Sequence, residues 1–117
     1  MSKLTTHILD TYHGTPAAEV SIELWRLDMD EDTLILDTST NSDGRTDRPL
    51  LEGDSFEAGK YELLFKIGPY FESKGVASDD IRFLDTIPIR FGISNPQAHY
   101  HVPLLASPWS YSTYRGS

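Results

Sequence analysis

Apolar and polar residues take turns along most of this chain, and the alternation stops repeatedly at turn signals. Leu4-Thr5-Thr6-His7-Ile8-Leu9-Asp10 is the first such stretch, closed by Gly14-Thr15-Pro16. Val20 to Leu27 alternates except at Trp25, and Leu34 to Thr40 follows an acidic turn at Asp28 to Asp32. A side-chain period of two marks a strand with one face buried. Asn41-Ser42-Asp43-Gly44 ends the third stretch, glycine taking positive φ there without strain. Leu50-Leu51-Glu52 predicts a short strand, and Gly59 to Ile67, Phe83 to Ile93, Ala98 to Leu105 and Ser110 to Arg115 predict longer ones. Pro88 and Pro103 each remove a ladder hydrogen bond. Pro88 therefore predicts an edge strand or a bulge, and Pro103 an edge or a subunit contact. Only Pro69 to Gly75 breaks the period: proline suits the first turn of a helix and glycine its end, so one short helix is expected. About eight strands with turns between them predict an all-β sandwich.

At 117 residues the chain suits a single domain over 1–117. It has no cysteine, which excludes a disulfide framework, a thiolate metal site and a cysteine nucleophile. Ten Lys and Arg against 18 Asp and Glu give a net charge of −8, so neither nucleic acid nor an anionic membrane surface is an expected partner. No apolar run approaches the roughly 20 residues that span a bilayer. Met1 to Thr6 carries one lysine and no apolar segment, so no signal peptide is read there and a cytoplasmic protein is expected.

Four histidines are the first candidates for chemistry, since imidazole changes charge near neutral pH. His13 adjoins Gly14 in a turn and reads as structural. His99 and His101 are two apart on a predicted strand and share a face. That is also how two histidines reach one metal, but a third ligand is needed, and His7 supplies it only from a neighbouring strand. Arg45, just after Asp43-Gly44, is either a solvated turn residue paired with Asp43 or Asp47, or a bidentate anion clamp. Spacing does not choose between these. The tail from Ser107 to Ser117 stays aromatic and alternating, unlike a fraying end. It predicts a docked segment that either packs as an edge strand or walls a site.

Taken in order, these motifs resemble the transthyretin-like proteins. Leu4 to Asp10 with Gly14-Thr15-Pro16-Ala17 is similar to their opening, Ser42-Asp43-Gly44-Arg45 to their second motif, and His99-Tyr100-His101-Val102-Pro103-Leu104-Leu105 with Ser107-Pro108 to their third. The closing Tyr114-Arg115-Gly116-Ser117 resembles the signature of the family's enzyme branch, which hydrolyses 5-hydroxyisourate. In the family pattern the hormone-carrier branch has lysine at His7, glutamate at Arg45 and threonine at His101, and lacks that ending.

The resemblance implies a transthyretin-like, prealbumin-like sandwich of seven to eight strands with one short helix. It implies a homotetramer with active sites at the dimer–dimer interface, and neither cofactor nor metal. The reaction implied is attack of water on a cyclic amide, giving 2-oxo-4-hydroxy-4-carboxy-5-ureidoimidazoline in urate breakdown. His7 and His101 then divide general base and general acid work, and Arg45 holds the oxygen-rich ring. His7, Arg45 and Tyr114 bind substrate, and Ser117 orients a histidine. His99 has at most a supporting place. A local cluster of Arg45, Arg115 and the histidines offsets the net charge, whose reach salt limits to about 8 Å. Two other readings share these residues: a non-catalytic carrier of small aromatic ligands, and a metal-dependent hydrolase using His99 and His101.

Overall fold

The computed structural model describes residues 2–116. Among them, nine strands and one α-helix run in the order β1 (Lys3–Asp10), β2 (Thr15–Pro16), β3 (Ser21–Leu27), β4 (Asp32–Ser39), β5 (Leu51–Glu52), β6 (Gly59–Lys66), α1 (Ile67–Ser73), β7 (Thr86–Ile93), β8 (Tyr100–Ala106) and β9 (Tyr111–Thr113). Two of the nine, β2 and β5, are only two residues long. One sheet has the order β2-β1-β8-β9, with β5 also on β1, and the other the order β4-β3-β6-β7.

The alternation has the expected consequence. Leu4 and Ile8 of β1 and Val102 and Leu104 of β8 point inward, against Ile22 and Leu24 of β3 and Leu63 and Phe65 of β6, all buried. Trp25, which breaks the sequence period, keeps the outward side of β3, where its Nε1–H donates to Glu23 Oε1 at 2.8 Å; the register shift beside it leaves the extra residue, Ile35, in β4. An extra residue in one strand re-aims the side chains beyond it.

The helix starts at Ile67, two residues before the expected Pro69. Proline is tolerated there because the first-turn N–H groups have no intrahelical partner. Its end is as read: Gly75 has φ 76°, its N–H bonds Glu72 O at 3.0 Å, and Val76 N–H reaches Phe71 O at 3.1 Å. These two bonds form a Schellman closure, which favours glycine. Pro88 lies on β7, at the edge of its sheet.

Pro103 corrects the edge reading. Its strand β8 has β1 on one side and β9 on the other. His101 exchanges backbone bonds with Gly116, and residues two apart face the same neighbour, so the missing Pro103 N–H falls on the tail side. There the β8–β9 pairing has already ended at Leu104↔Thr113, and Thr113 Oγ1 donates to Pro103 O at 2.7 Å. The proline sits in a gap of the ladder inside the sheet. Among the described residues no helix is long and apolar enough to cross a membrane.

Candidate active site

β1 and β8 run parallel and adjacent, with Thr5 beside His101 and His7 beside Pro103. Since Leu4, Thr6 and Ile8 face the core, Lys3, Thr5 and His7 face outward, and on β8 His101 does the same. One outer sheet face therefore collects His7 and His101, and His99, just before β8, reaches Thr5 there.

Gly44 brings the arginine to this face. Its φ is +75°, and a Cβ there would lie 2.4 Å from Ile8 O and 3.3 Å from His7 Cδ2. The close approach lets Ile8 N–H donate to Gly44 O at 2.8 Å and forms a bridge between His7 and Arg45. Gly44→Ala is expected to cost at least about 1–3 kcal/mol in backbone strain and to displace Arg45. Thermal unfolding together with kcat/KM at a temperature where the variant is folded checks both. An unchanged Tm would refute the close-packing account.

The two acids near Arg45 leave it alone. Asp47 accepts from Asn41 Nδ2 at 3.0 Å, Asp43 uses its backbone carbonyl on His7, and among the described residues Arg45 forms no ion pair. The guanidinium borders an open cleft of about 310 Å³ that Lys3, Arg48 and His99 also line, with Asp47 as its one carboxylate. Three cations against one anion make this cleft locally positive on an acidic protein.

His7 Nε2 lies 2.9 Å from Asp43 O. A carbonyl oxygen only accepts, so Nε2 carries the proton and Nδ1 keeps a lone pair in neutral His7. Burial, then the Arg45 cation, lowers the pKa of His7. Burial, then Arg45, His7 and His99, lowers that of His101. Both imidazoles are thereby kept neutral, and available as bases, to lower pH than an ordinary histidine. Arg45→Gln removes one cause from each and should raise both midpoints. Proton NMR titration of the ring C–H signals reads this directly, and unmoved midpoints would contradict it.

The tail docks as expected. His101 N–H donates to Gly116 O at 3.2 Å, and Gly116 N–H to His101 O at 2.7 Å. A Cβ on Gly116 would lie 2.9 Å from His101 Cδ2, so the tail lies directly against the imidazole. Ser117 lies outside the described residues. Tyr114 is 61% exposed and lines a recess with Phe91, Tyr100 and Val102, apart from the cleft at Arg45. Arg115 corrects the expected cation cluster. Its guanidinium stacks 4.0 Å over the ring of Tyr100, which faces the core side of β8, so it is not grouped with Arg45.

His13 is structural, as read, with a partner that the sequence reading did not name. Its Nδ1 lies 2.6 Å from Asp10 Oδ2, and its backbone N–H and Tyr70 OH also donate to that carboxylate, whose side chain is fully buried. An Asp three residues before a His at the end of a strand is the signal that was available. Although His101 lies on β8, His99 just before it and His7 on the neighbouring β1, no group of three potential metal ligands lies together among the described residues.

The pattern described as the HIUase/Transthyretin family matches residues 4–116. The chain belongs to this family. It is 56% identical over 115 residues to 5-hydroxyisourate hydrolase 2 of Rhizobium meliloti (strain 1021), covering 98% of this chain and 96% of that one. The crystal structure of an (S)-allantoin synthase superposes with a TM-score of 0.95 at 52% identity, over 99% of this chain but only 44% of that longer one. Sea bream transthyretin in complex with thyroxine superposes at a TM-score of 0.87 and 28% identity, covering 97% and 94% of the two chains. Hydrolase-named and hormone-binding members of the HIUase/Transthyretin family thus share one sandwich, and the fold does not separate them.

Proposed function

We propose that this family member hydrolyses 5-hydroxyisourate to 2-oxo-4-hydroxy-4-carboxy-5-ureidoimidazoline in urate breakdown, the activity for which its R. meliloti relative is named. One observation carries the reading. The β1–β8 pairing and the Gly44 turn gather His7, His101 and Arg45 on one face, and these are three of the four marks by which the enzyme branch is expected to differ from the carrier.

The chemistry follows from what each group presents. His7 Nδ1 accepts a proton from water as its oxygen bonds to the ring carbonyl carbon. Arg45 holds the anionic ring and stabilises charge on the carbonyl oxygen. The C–N bond breaks with its electron pair on nitrogen, which takes the proton back from the His7 imidazolium. His101, on the neighbouring strand, supplies a hydrogen bond to the reacting group.

Ser117 is assigned to orienting a histidine, whereas Tyr114, in a recess apart from Arg45, reaches substrate only where a second copy brings the two together. We further propose a homotetramer of single domains over 1–117, with the open cleft completed by a second copy across a dimer–dimer interface. The cleft's exposed arginine and open wall support this, because a site that must exclude water needs a cover.

The test is spectrophotometric: decay of freshly generated 5-hydroxyisourate with and without the protein. A rate enhancement proportional to enzyme and retained after exhaustive chelation is expected. Decay at the uncatalysed rate, with tight binding of aromatic ligands, would favour the carrier. Loss of activity on chelation would favour the metal hydrolase.

A further inference from the structure

His101 is useful to the reaction only if the correct ring nitrogen carries its proton, and the residues around it bear on that choice. Its Nδ1 lies 2.8 Å from Thr5 Oγ1. The same hydroxyl lies a longer 3.4 Å from His99 Nε2. His99 Nδ1 is buried and has no hydrogen-bond partner among the described residues. A threonine hydroxyl has one proton to give and two lone pairs. Three arrangements are therefore open.

In the first, Thr5 donates to His101 Nδ1 and accepts from His99 Nε2–H, which leaves only the His99 Nδ1 lone pair unmatched. In the second, His101 Nδ1–H donates to Thr5 and Thr5 donates to His99. The proton of His99 then sits on buried Nδ1 as an N–H with no acceptor. In the third, Thr5 accepts from both rings and its own proton has no acceptor among the described residues. Orphaned buried N–H groups are rarer in folded proteins than under-satisfied acceptors, and an unmatched buried donor carries a full desolvation cost. The first arrangement has the lowest cost.

We propose that Thr5, backed by His99, is a positioning residue that fixes His101 as the tautomer protonated on Nε2. The inference deepens the hydrolase reading above and rests on it. His101 then presents an N–H where His7, whose Nε2–H is held by Asp43 O, presents a bare Nδ1. Two histidines on neighbouring strands thereby take opposite roles: His7 is the base, and His101 a hydrogen-bond donor that keeps its own proton throughout the turnover. Thr5 was absent from the sequence-derived site, although its spacing of two from His7 puts both on one face.

The experiment has two independent readouts on the full-length protein. Long-range ¹H–¹⁵N correlation spectra of the substrate-free protein, taken above the histidine midpoints, report which nitrogen of His101 is protonated. The expected spectrum has Nε2 protonated and Nδ1 bare. Thr5→Val keeps the shape and removes the hydroxyl. It should yield mixed tautomers and lower kcat about 10-fold, with KM changed little, as loss of a partner that orients an imidazole does elsewhere. Thr5→Ser should restore both. A wild-type His101 protonated on Nδ1 overturns the proposal, even if Thr5→Val fails to fold. So does a folded Thr5→Val protein that retains the wild-type tautomer and kcat. A wild-type protein without activity on 5-hydroxyisourate overturns the hydrolase reading and leaves the tautomer result standing.

Discussion

Arg45→Glu is expected to abolish turnover of 5-hydroxyisourate, and Arg45→Lys to reduce kcat/KM by about 10²-fold. The arginine has three tasks at one position. Its cation lowers the pKa of both His7 and His101, it makes the cleft positive, and its planar fork offers two parallel donors to an oxygen-rich ring. Glutamate reverses the first two and removes the third. Lysine keeps the charge and loses only the fork, and removing a preorganised donor from a developing oxyanion typically costs about 10²–10³-fold. The comparison thus separates charge from geometry. Steady-state kinetics in which Arg45→Lys matched the parent would show that a point charge suffices.

His7→Ala and His101→Ala should each lower kcat by about 10²-fold or more, the first within the range for a positioned group in proton transfer and the second within that for a preorganised hydrogen-bond donor. His13→Ala should leave kcat intact and lower stability by about 1–3 kcal/mol, because the buried Asp10 carboxylate loses a charge-assisted partner. Burial opposes the ionised form of Asp10, but hydrogen bonds from the His13 backbone, the Tyr70 hydroxyl and the His13 ring outweigh it and lower its pKa. A depressed carboxyl pKa stabilises the fold above the unfolded-state value near 4, and that stability is lost as pH falls through the folded value. The His13→Ala deficit in Tm should therefore be present at neutral pH and shrink in strong acid. Three alanine variants with equal kcat would remove the acid–base assignment.

The sandwich was legible because half-buried strands repeat every two residues, and that signal survives in a single sequence. So was the face shared by His99 and His101. The position of His7 beside them was not, since it depends on β1 pairing with a strand 96 residues further on, from Thr5 to His101, and no local signal reports such a partner. Pro103 misled for the same reason: a missing N–H marks an edge unless the neighbouring strand stops short, as β9 does. Arg115 follows the Tyr100 ring rather than its own charge. His13 does lie in a turn, but its partner was not legible, because Asp10 becomes buried only when Tyr70 of the helix closes over it.

The parallel β1–β8 ladder also sets a timetable. During synthesis the strand that completes this side of β1 leaves the ribosome 96 residues after it, counted from Thr5 to His101. The β3–β4 and β3–β6 ladders form between closer segments, so the second sheet has a head start in closing its loops. Until β8 arrives, β1 is an unfilled edge carrying Leu4 and Ile8, a surface on which nascent chains can cross-pair. The face carrying His7 and His101 thus forms only after β8 has joined β1. Slow translation or a cold growth temperature lengthens the interval in which that edge stands open, and soluble yield, more than specific activity, is where the delay will register.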